Sequence, residues 1–450
     1  MNYILSIYDS LSKRKKIFNL TEKKNNPLNI YVCGITPYDH PHIGHARCYI
    51  SYDILIRLIR YFGFKVTYIQ NITDVNDKIF SKAINWYGDA TRYLEVANFY
   101  HNEFQSLLNK VGCLAPDSYP RVSESFDAII NLIQKIINAG CAYETNDGIY
   151  FNVNTFKEYG KLSQRNIDDE KNVSRIENLH DKNSNYDFVL WKKTNELPCW
   201  ESPWGKGLPG WHIECSAMIN KSFGNNHQLN IHGGGIDLLF PHHENEKAQS
   251  ECCSDKPLTD IWMHVAFINA NKEKMSKSMG NSVYLKDIIN QFDPMAFRLY
   301  LLMHHYNSPI EFDLESIRAI QDSYLNLISI FENTSDNNNK ENKHQHHLLD
   351  EINQLLLDNL NTAAAIGLIF KNKQTIKNNI DLAFEIKKIV KYIFGLSLKK
   401  ENNYQQENSQ HIEKLLFERE LARKNKDFAK ADELRKILVE LGAKIHDGKL

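Results

Sequence analysis

Residues 28–69 constrain the fold more than any other stretch, because they have the pattern of a strand, a helix and a second strand. Leu28–Val32 is a short run of β-forming residues, Ala46–Phe62 has helical periodicity, and Lys65–Ile69 again favours a strand. Such a βαβ unit has a right-handed crossover, which places its first loop at the carboxyl edge of a parallel sheet. We therefore expect an α/β fold whose ligands bind at that edge.

The chain changes character near residue 310, since no proline follows Pro309 and stretches such as Ser316–Ile328 repeat apolar residues every three or four positions. This pattern predicts an all-helical region after the first 310 residues. Two polar stretches, 333–347 and 400–409, divide it. We expect the histidines of the first polar stretch to be solvated rather than metal-bound; they are His344, His346 and His347.

The charge balance and the cysteine content exclude several classes of protein. Lys and Arg number 54 against 55 Asp and Glu, so any nucleic acid must be bound by local patches and not by global basicity. Apolar runs fall far short of the ~20 residues that span a bilayer, and Met1–Leu5 lacks the basic flank of a secretory signal. The eight cysteines lack the paired spacing of a disulfide scaffold. We expect a soluble, cytoplasmic protein that does not associate with membranes.

Two histidines lie in the loop between the first strand and the helix, within Pro41-His-Ile-Gly-His45. If the helix has begun, His42 and His45 share one face near its positive N-terminal end, where a phosphate group is favoured. Gly44 between them would let a ligand approach the backbone closely. Taken alone, so short a pattern also fits two ordinary loop histidines.

A second short pattern, Lys274-Met-Ser-Lys-Ser278, lies much later in the chain. Lys274 and Lys277 would present two ammonium groups to a polyphosphate, although a solvated surface loop has the same composition. Together with the histidine loop and the βαβ unit, this pattern resembles the signature pair of class I aminoacyl-tRNA synthetases. The resemblance implies a Rossmann-like parallel-sheet catalytic domain with an inserted connective segment, followed by an all-helical C-terminal region.

Four potential metal ligands come from three distant segments of the sequence. Cys33 directly follows the first predicted strand, and Cys215 ends a Gly-Trp-His-Ile-Glu-Cys segment. Further on, Pro241 favours a helix start, which would put His242 and Glu246 on one helical face. Two cysteines, one histidine and one glutamate form a chemically sensible zinc set.

These segments, the two nucleotide patterns and His232-Gly-Gly-Gly235 together resemble cysteinyl-tRNA synthetases over essentially the whole chain. The resemblance implies one zinc ion per chain, with the ligands Cys33, Cys215, His242 and Glu246. A purely structural zinc ion is the alternative role for such a closed four-ligand site. Two adjacent cysteines and one histidine are competing donors, and the cysteines fit a buried structural role at least as well; these residues are Cys252, Cys253 and His243.

The same resemblance implies the residues of two substrate pockets. The cysteine pocket would consist of Gly34, Thr36, Thr73, Trp211 and His232. The ATP site would consist of His42, Gly44, His45, Gly234, Asp237 and Lys277. By itself, Trp211 fits the core better than a pocket, because tryptophan is generally highly buried, and the resemblance reverses that preference.

The resemblance further implies an ATP-dependent ligase that uses ATP with Mg2+ to activate L-cysteine. It would form cysteinyl adenylate, release pyrophosphate, and transfer the cysteinyl group to the 3′-terminal adenosine of tRNA(Cys). The catalytic residues carried over are His42, His45, Lys274 and Lys277. Zinc suits such an enzyme because it binds a thiolate strongly, whereas a serine hydroxyl at neutral pH is a poor ligand.

Two other functions share these sequence features. A related ligase joins cysteine to an amino-sugar acceptor in thiol biosynthesis with nearly the same catalytic patterns, and a non-enzymatic paralogue would bind RNA or zinc without catalysis. The helical C-terminal region favours tRNA as the acceptor. The two intact nucleotide patterns favour catalysis over binding alone.

The resemblance also divides the chain into three parts. Residues 1–310 would form the catalytic domain, residues 311–400 a helical bundle that contacts the tRNA stem, and residues 405–450 a small anticodon-recognition unit. It implies a monomer. Members of the family commonly continue past the position of Leu450 through a Gly-Thr-Thr-Trp-Arg tail, so the resemblance does not extend to the anticodon contacts of that tail.

Overall fold

The computed structural model of the chain describes residues 3–23, 26–165, 182–224, 228–270, 273–274, 283–334, 346–399, 415–419, 422–423 and 427–440. Its first two strands, β1 (Ile4–Asp9) and β2 (Arg14–Asn19), form an antiparallel hairpin. Alternate residues of β1 face the core, where Leu5 and Ile7 are buried. The hairpin also supports the parallel sheet, because the carboxylate of Asp9 accepts a hydrogen bond from the backbone N–H of Trp262.

The predicted βαβ unit is present. Strands β3 (Leu28–Val32) and β4 (Val66–Gln70) pair in parallel, and helix α1 (Ile43–Tyr61) connects them. The helix starts earlier than the periodic run that begins at Ala46, because the side chain of His42 accepts a hydrogen bond from the backbone N–H of His45 and caps it. The two histidines therefore lie at the helix start, at the carboxyl edge of the sheet.

An insertion separates β4 from the second half of the parallel sheet. It contains the helices α2 (Asp77–Tyr87), α3 (Tyr93–Lys110) and α4 (Phe126–Asn138). It also contains an antiparallel sheet of four strands in sequence order, β5 (Ala142–Glu144), β6 (Gly148–Phe151), β7 (Phe188–Lys193) and β8 (Gly207–Pro209). This insertion corresponds to the expected connective segment.

The parallel sheet is completed by α5 (Trp211–Phe223), β9 (Leu229–Gly235), α6 (Glu244–Glu251) and β10 (Thr259–Val265), and its strand order is β10-β9-β3-β4. Glycine is required at position 233, because a Cβ atom there would lie 1.7 Å from the carbonyl oxygen of Met263. The same glycine accepts a hydrogen bond of 2.9 Å from the backbone N–H of Cys33. The carboxyl ends of β3 and β9 thus meet at one edge of the sheet.

Short elements follow the parallel sheet: β11 (Ile268–Ala270), β12 (Glu273–Lys274), α7 (Leu285–Gln291), α8 (Pro294–Leu302) and β13 (Ile310–Phe312). Strand β11 pairs with β12 in antiparallel and with β13 in parallel orientation. Asp313 then caps the next helix, since its carboxylate accepts a hydrogen bond of 2.7 Å from the backbone N–H of Ser316.

After Phe312, the described residues contain helices and connecting turns but no strand, which agrees with the predicted helical region. The helices are α9 (Leu314–Ile330), α10 (His347–Leu357), α11 (Thr362–Lys371), α12 (Lys373–Lys377), α13 (Ile380–Lys388) and α14 (Phe428–Glu440). His344 lies outside the described residues, and the domain boundaries at 310, 400 and 405 remain predictions.

The hydrophobic core continues from the parallel sheet into the helical region. One cluster of buried side chains includes Ile54 of α1, Leu299 of α8 and Ile386 of α13. A second cluster lies around the insertion and includes Phe151 of β6 and Ile213 of α5. None of the helices in the described ranges is long and apolar enough to cross a membrane.

Candidate active site and metal centre

Four buried side chains converge at the carboxyl edge of the parallel sheet. Cys33 follows β3 and Cys215 lies in α5. His242 lies in the helical turn that precedes α6, and Glu246 lies in the first turn of α6. The Cys33 Sγ atom lies 3.8 Å from Cys215 Sγ and 3.4 Å from Glu246 Oε1, and His242 Nε2 lies 2.9 Å from the same Glu246 oxygen. All four predicted zinc ligands therefore meet at one point, although they come from three segments.

The donor set and its spacing fit a tetrahedral zinc ion. One ligand atom from each residue lies within 4.8 Å of those from the other three. In a tetrahedral site with Zn–S bonds of ~2.3 Å, two sulfur atoms lie about 3.7 Å apart, close to the 3.8 Å between Cys33 and Cys215. Two cysteines, a histidine and a glutamate are also donors that zinc prefers. The residues present therefore suit the metal that the family resemblance implies.

The electrostatics of the cluster favour a cation. The thiol of Cys33 shares a hydrogen bond with Cys215, and this contact lowers the pKa of Cys215 to about 6 despite burial. Burial acts to raise the pKa of Glu246, but the neighbouring His232 and His242 hold it well below its usual range. Burial acts to lower the pKa of His242, but Glu246 and Cys215 raise it to about 10. These shifts favour the deprotonated forms of Cys215 and Glu246, in which both can bind a metal, whereas His242 must release its proton to bind one.

We call the group formed by Cys33, Cys215, His242 and Glu246 the metal cluster. His232, which the resemblance places in the cysteine pocket, contacts this cluster through Glu246. It is fully buried, with Nε2 2.9 Å from Glu246 Oε2 and Nδ1 2.9 Å from the carbonyl oxygen of Tyr31. A histidine with this contact orients the carboxylate ligand. Cys33, His232, His243 and Glu246 form an alternative donor group within 4.8 Å, so His243 remains a competing donor.

The adjacent cysteines that follow α6 take no part in either donor group among the described residues. The sulfur atoms of Cys252 and Cys253 lie 3.5 Å and 3.6 Å from the carbonyl oxygen of Gln249. Both side chains are partly buried against the core around the insertion. Their surroundings are those of structural thiols.

The start of α1 pairs with the segment that follows the second nucleotide pattern. The rings of His42 and His45 are stacked with centroids 3.6 Å apart, and the Nδ1 atom of each accepts a hydrogen bond from the backbone N–H of the other. The backbone of Ile43 pairs with Val283, which lies just after the lysine loop. Lys274 is the last residue of β12, whereas Lys277 lies outside the described residues.

Three glycines and one aspartate of the predicted nucleotide and cysteine sites lie along the same edge. A Cβ atom at Gly44 would lie 3.0 Å from His42 Nδ1, and one at Gly34 would lie 1.6 Å from the carbonyl oxygen of Asn71. Gly234 lies in β9, and the exposed Asp237 lies in the turn that follows. The short distance to the carbonyl oxygen of Asn71 means that only glycine fits at position 34.

Thr36, Thr73 and Trp211 lie around the cysteine side of the edge. Thr73 is buried and its backbone N–H donates to Ile35, while its hydroxyl accepts from the Asn71 side chain. Trp211 is 41% exposed, so it is not part of the core. Its ring centroid lies 4.5 Å from that of His242, and it lines a cavity of about 340 Å³ together with Thr36. Trp211 therefore connects this cavity to the metal cluster.

Several residues of the site were not singled out in the sequence. His212 lies 2.9 Å from His242, Nδ1 to Nδ1, and His264 lies 2.7 Å from His243, Nε2 to Nδ1. The spacing of His212 and Cys215 on one helix was a usable signal, since residues three apart share a face. Glu214 also lines the cavity, and burial, Cys215 and Asp74 raise its pKa well above its usual value.

Comparison with known proteins agrees with this site. Residues 19–322 match the family model described as tRNA synthetases class I (C) catalytic domain. The chain is 39% identical to a cysteine–tRNA ligase of Endomicrobium trichonymphae, covering 99% of this chain and 97% of the relative. It is 37% identical to a cysteine–tRNA ligase of Legionella pneumophila (strain Paris), covering 99% and 98%.

Solved structures support the fold. The chain is similar to a Mycobacterium tuberculosis methionyl-tRNA synthetase bound by methionyl-adenylate, with a TM-score of 0.59, 13% identity, and coverage of 83% of this chain and 93% of that one. A second structure of the same enzyme has a TM-score of 0.57 at 14% identity, and covers 84% and 86%. At such low identity the likeness concerns the fold alone. The matched relatives and the family model, taken with the converging ligands, show that the chain belongs to the cysteine–tRNA ligases, a family of class I aminoacyl-tRNA synthetases.

Proposed function

We propose that this protein activates L-cysteine with ATP and Mg2+ and transfers the cysteinyl group to the 3′-terminal adenosine of tRNA(Cys). In the first step a carboxylate oxygen of cysteine forms a bond to the α-phosphorus of ATP, and the bond from that phosphorus to the bridging oxygen breaks. Pyrophosphate leaves. In the second step a ribose hydroxyl attacks the cysteinyl carbonyl, and AMP leaves.

The convergence of four buried potential zinc ligands is the observation that carries this proposal. Cys33, Cys215, His242 and Glu246 would hold one zinc ion, which supplies a site for a thiolate that a serine hydroxyl matches poorly. Trp211 contacts His242 on one side and lines the cavity on the other, so this side chain orients a substrate between cavity and cluster. His232 keeps the Glu246 carboxylate in place.

The histidines at the start of α1 would stabilise the charge on the α-phosphate. Because Nδ1 of each ring accepts a backbone N–H, the proton of each neutral ring lies on Nε2. From there His42 and His45 can donate hydrogen bonds to phosphate oxygens, next to the positive end of the helix. Gly44, Gly234 and Asp237 would line the nucleotide side, and Lys274 and Lys277 would stabilise the departing pyrophosphate.

The helical region would bind the RNA. Residues 311–400 would contact the tRNA stem and residues 405–450 would recognise the anticodon. The relatives match this chain over 99% of its length, which supports tRNA rather than an amino-sugar as the acceptor. We further propose that the protein is a monomer, as the family resemblance implies, and that it is cytoplasmic, where a reducing environment keeps its cysteines free.

Cysteine-dependent exchange of labelled pyrophosphate into ATP tests the first step. We expect exchange with cysteine and not with serine, followed by charging of a tRNA(Cys) transcript. Exchange without charging would favour the amino-sugar acceptor. Absence of exchange by zinc-replete protein would refute the activity.

A further inference from the structure

A buried carboxylate in the wall of the cavity beside the metal cluster has no assigned role. Glu214 is 2% exposed, and its Oε2 atom has no hydrogen-bond partner. It lies one helical turn from Trp211 on α5, and both side chains line the cavity of about 340 Å³. A buried oxygen without a partner is costly, so a ligand that donates to it would be bound favourably.

Two acidic side chains near the cavity, Asp74 and Glu214, differ in their partners. The neighbouring carboxylate of Asp74 accepts hydrogen bonds from both the backbone N–H and the hydroxyl of Ser123, and lies 3.4 Å from Arg121. Within the described ranges, no basic side chain forms an ion pair with Glu214. Lys78 also lines the cavity, but its ammonium group lies 5.0 Å above the ring of Tyr38.

We propose that Glu214 binds the α-ammonium group of the amino-acid substrate. The ammonium N–H would donate to Glu214 Oε2. The substrate thiol would face the predicted zinc ligands, one of which is the next residue, Cys215. This role makes Glu214 a specificity residue for amino acids over deaminated thiols. The inference rests on the proposed function, because that function makes cysteine the ligand of this cavity.

Three thiols separate the ammonium contact from the other contacts: L-cysteine, cysteamine, which lacks the carboxylate, and 3-mercaptopropionate, which lacks the ammonium group. Their binding to zinc-replete protein is measured by isothermal titration calorimetry, with zinc content determined before and after each titration. In Glu214→Gln we expect cysteine and cysteamine to bind at least about tenfold more weakly, as for the loss of a charge-assisted hydrogen bond. Binding of 3-mercaptopropionate should stay unchanged.

Glu244→Gln is the matched control. Glu244 is also fully buried and also has an oxygen, Oε1, without a partner, but it does not line the cavity. This variant should leave the relative affinities of the three thiols unchanged. Glu214→Asp keeps the carboxyl group and should retain more of the cysteamine affinity than Glu214→Gln, which separates the loss of the carboxyl group from general damage to the fold.

The outcomes are distinct. Equal weakening of all three thiols in both Glu214 variants, or loss of zinc, would show that Glu214 is structural and overturn the proposal. Unchanged cysteamine binding in Glu214→Gln would also overturn it. A parent protein that binds the thiols with the expected preference but lacks cysteine-dependent pyrophosphate exchange would refute the proposed activity and leave the ammonium contact standing.

Discussion

Cys33 and Cys215 are 182 residues apart in the chain, yet their sulfur atoms lie 3.8 Å apart. One follows the central strand β3, and the other lies in the first turns of α5. The contact therefore requires both halves of the parallel sheet to be assembled. It also makes the metal cluster sensitive to either cysteine.

Replacing Cys33 by serine should lower the zinc content and the selectivity for cysteine over serine together, because a serine hydroxyl is a poor zinc ligand. Metal analysis and pyrophosphate exchange with both amino acids measure the two effects. Cys252→Ser, which changes a thiol outside the cluster, should retain zinc. If Cys33→Ser loses zinc but keeps its selectivity, the metal has a structural role.

Variants of His42 separate helix capping from catalysis. Asparagine is a good helix cap but lacks an imidazole, so His42→Asn should keep the stability of the parent and lose about 10²-fold or more in the rate of adenylate formation. His42→Ala should lose the same rate and, in addition, about 1 kcal/mol of stability. Thermal unfolding and single-turnover kinetics measure the two quantities. Equal rates in His42→Asn and the parent would contradict the proposed role.

Lys277→Ala should mainly slow the formation of cysteinyl adenylate, because its ammonium group is proposed to act on the departing pyrophosphate. The affinity for cysteine should change little. Pyrophosphate exchange at saturating cysteine and direct cysteine titration provide the comparison. Undiminished exchange would remove Lys277 from the mechanism.

Arg298 joins α1 to the helical region. Its fully buried side chain donates to the carboxylate of Asp53, to Val111 and, at 2.6 Å, to the carbonyl oxygen of Phe394. Arg298→Ala should cost about 3–5 kcal/mol of stability, because it leaves a buried carboxylate without this partner. Arg92→Ala, which removes an exposed pair with Glu95, should cost much less, because an exposed ion pair is screened by solvent. Chemical denaturation followed by circular dichroism measures both, and equal losses would contradict this difference.

His101 should make stability depend on pH. Burial and, to a lesser extent, the charge of Arg121 lower its pKa from 6.5 to about 4. As the pH falls, the imidazole of His101 is protonated in the unfolded chain before it is protonated in the folded protein. The contribution of His101 to stability is therefore fully present above pH 6.5 and is lost as the pH falls towards 4. Between about pH 7 and pH 5, the free energy of unfolding of His101→Gln should therefore fall by about 2 kcal/mol less than that of the parent protein. Parallel denaturation curves at the two pH values test this, and equal losses would contradict it.

The βαβ unit, the helical character after residue 312 and the four side chains that meet in the predicted zinc site all followed from the amino-acid sequence. Each depends on a local pattern: hydrophobic periodicity, the absence of proline, or short segments that resemble a known family. The start of α1 at Ile43 could not be predicted in the same way, because the cap formed by His42 and His45 does not follow from the apolar pattern.

The side chains that surround these four residues could not be predicted from the sequence, because they are brought there by tertiary contacts. His232 of β9 contacts Glu246 of α6, and His264 of the neighbouring strand β10 contacts His243. No spacing along the chain encodes these contacts. The exposure of Trp211 and the burial of Glu214 likewise depend on how α5 packs against the insertion. Local interactions specify helices and strands, whereas a buried polar site requires contacts between residues that are distant in sequence, and these form only when the sheet is complete.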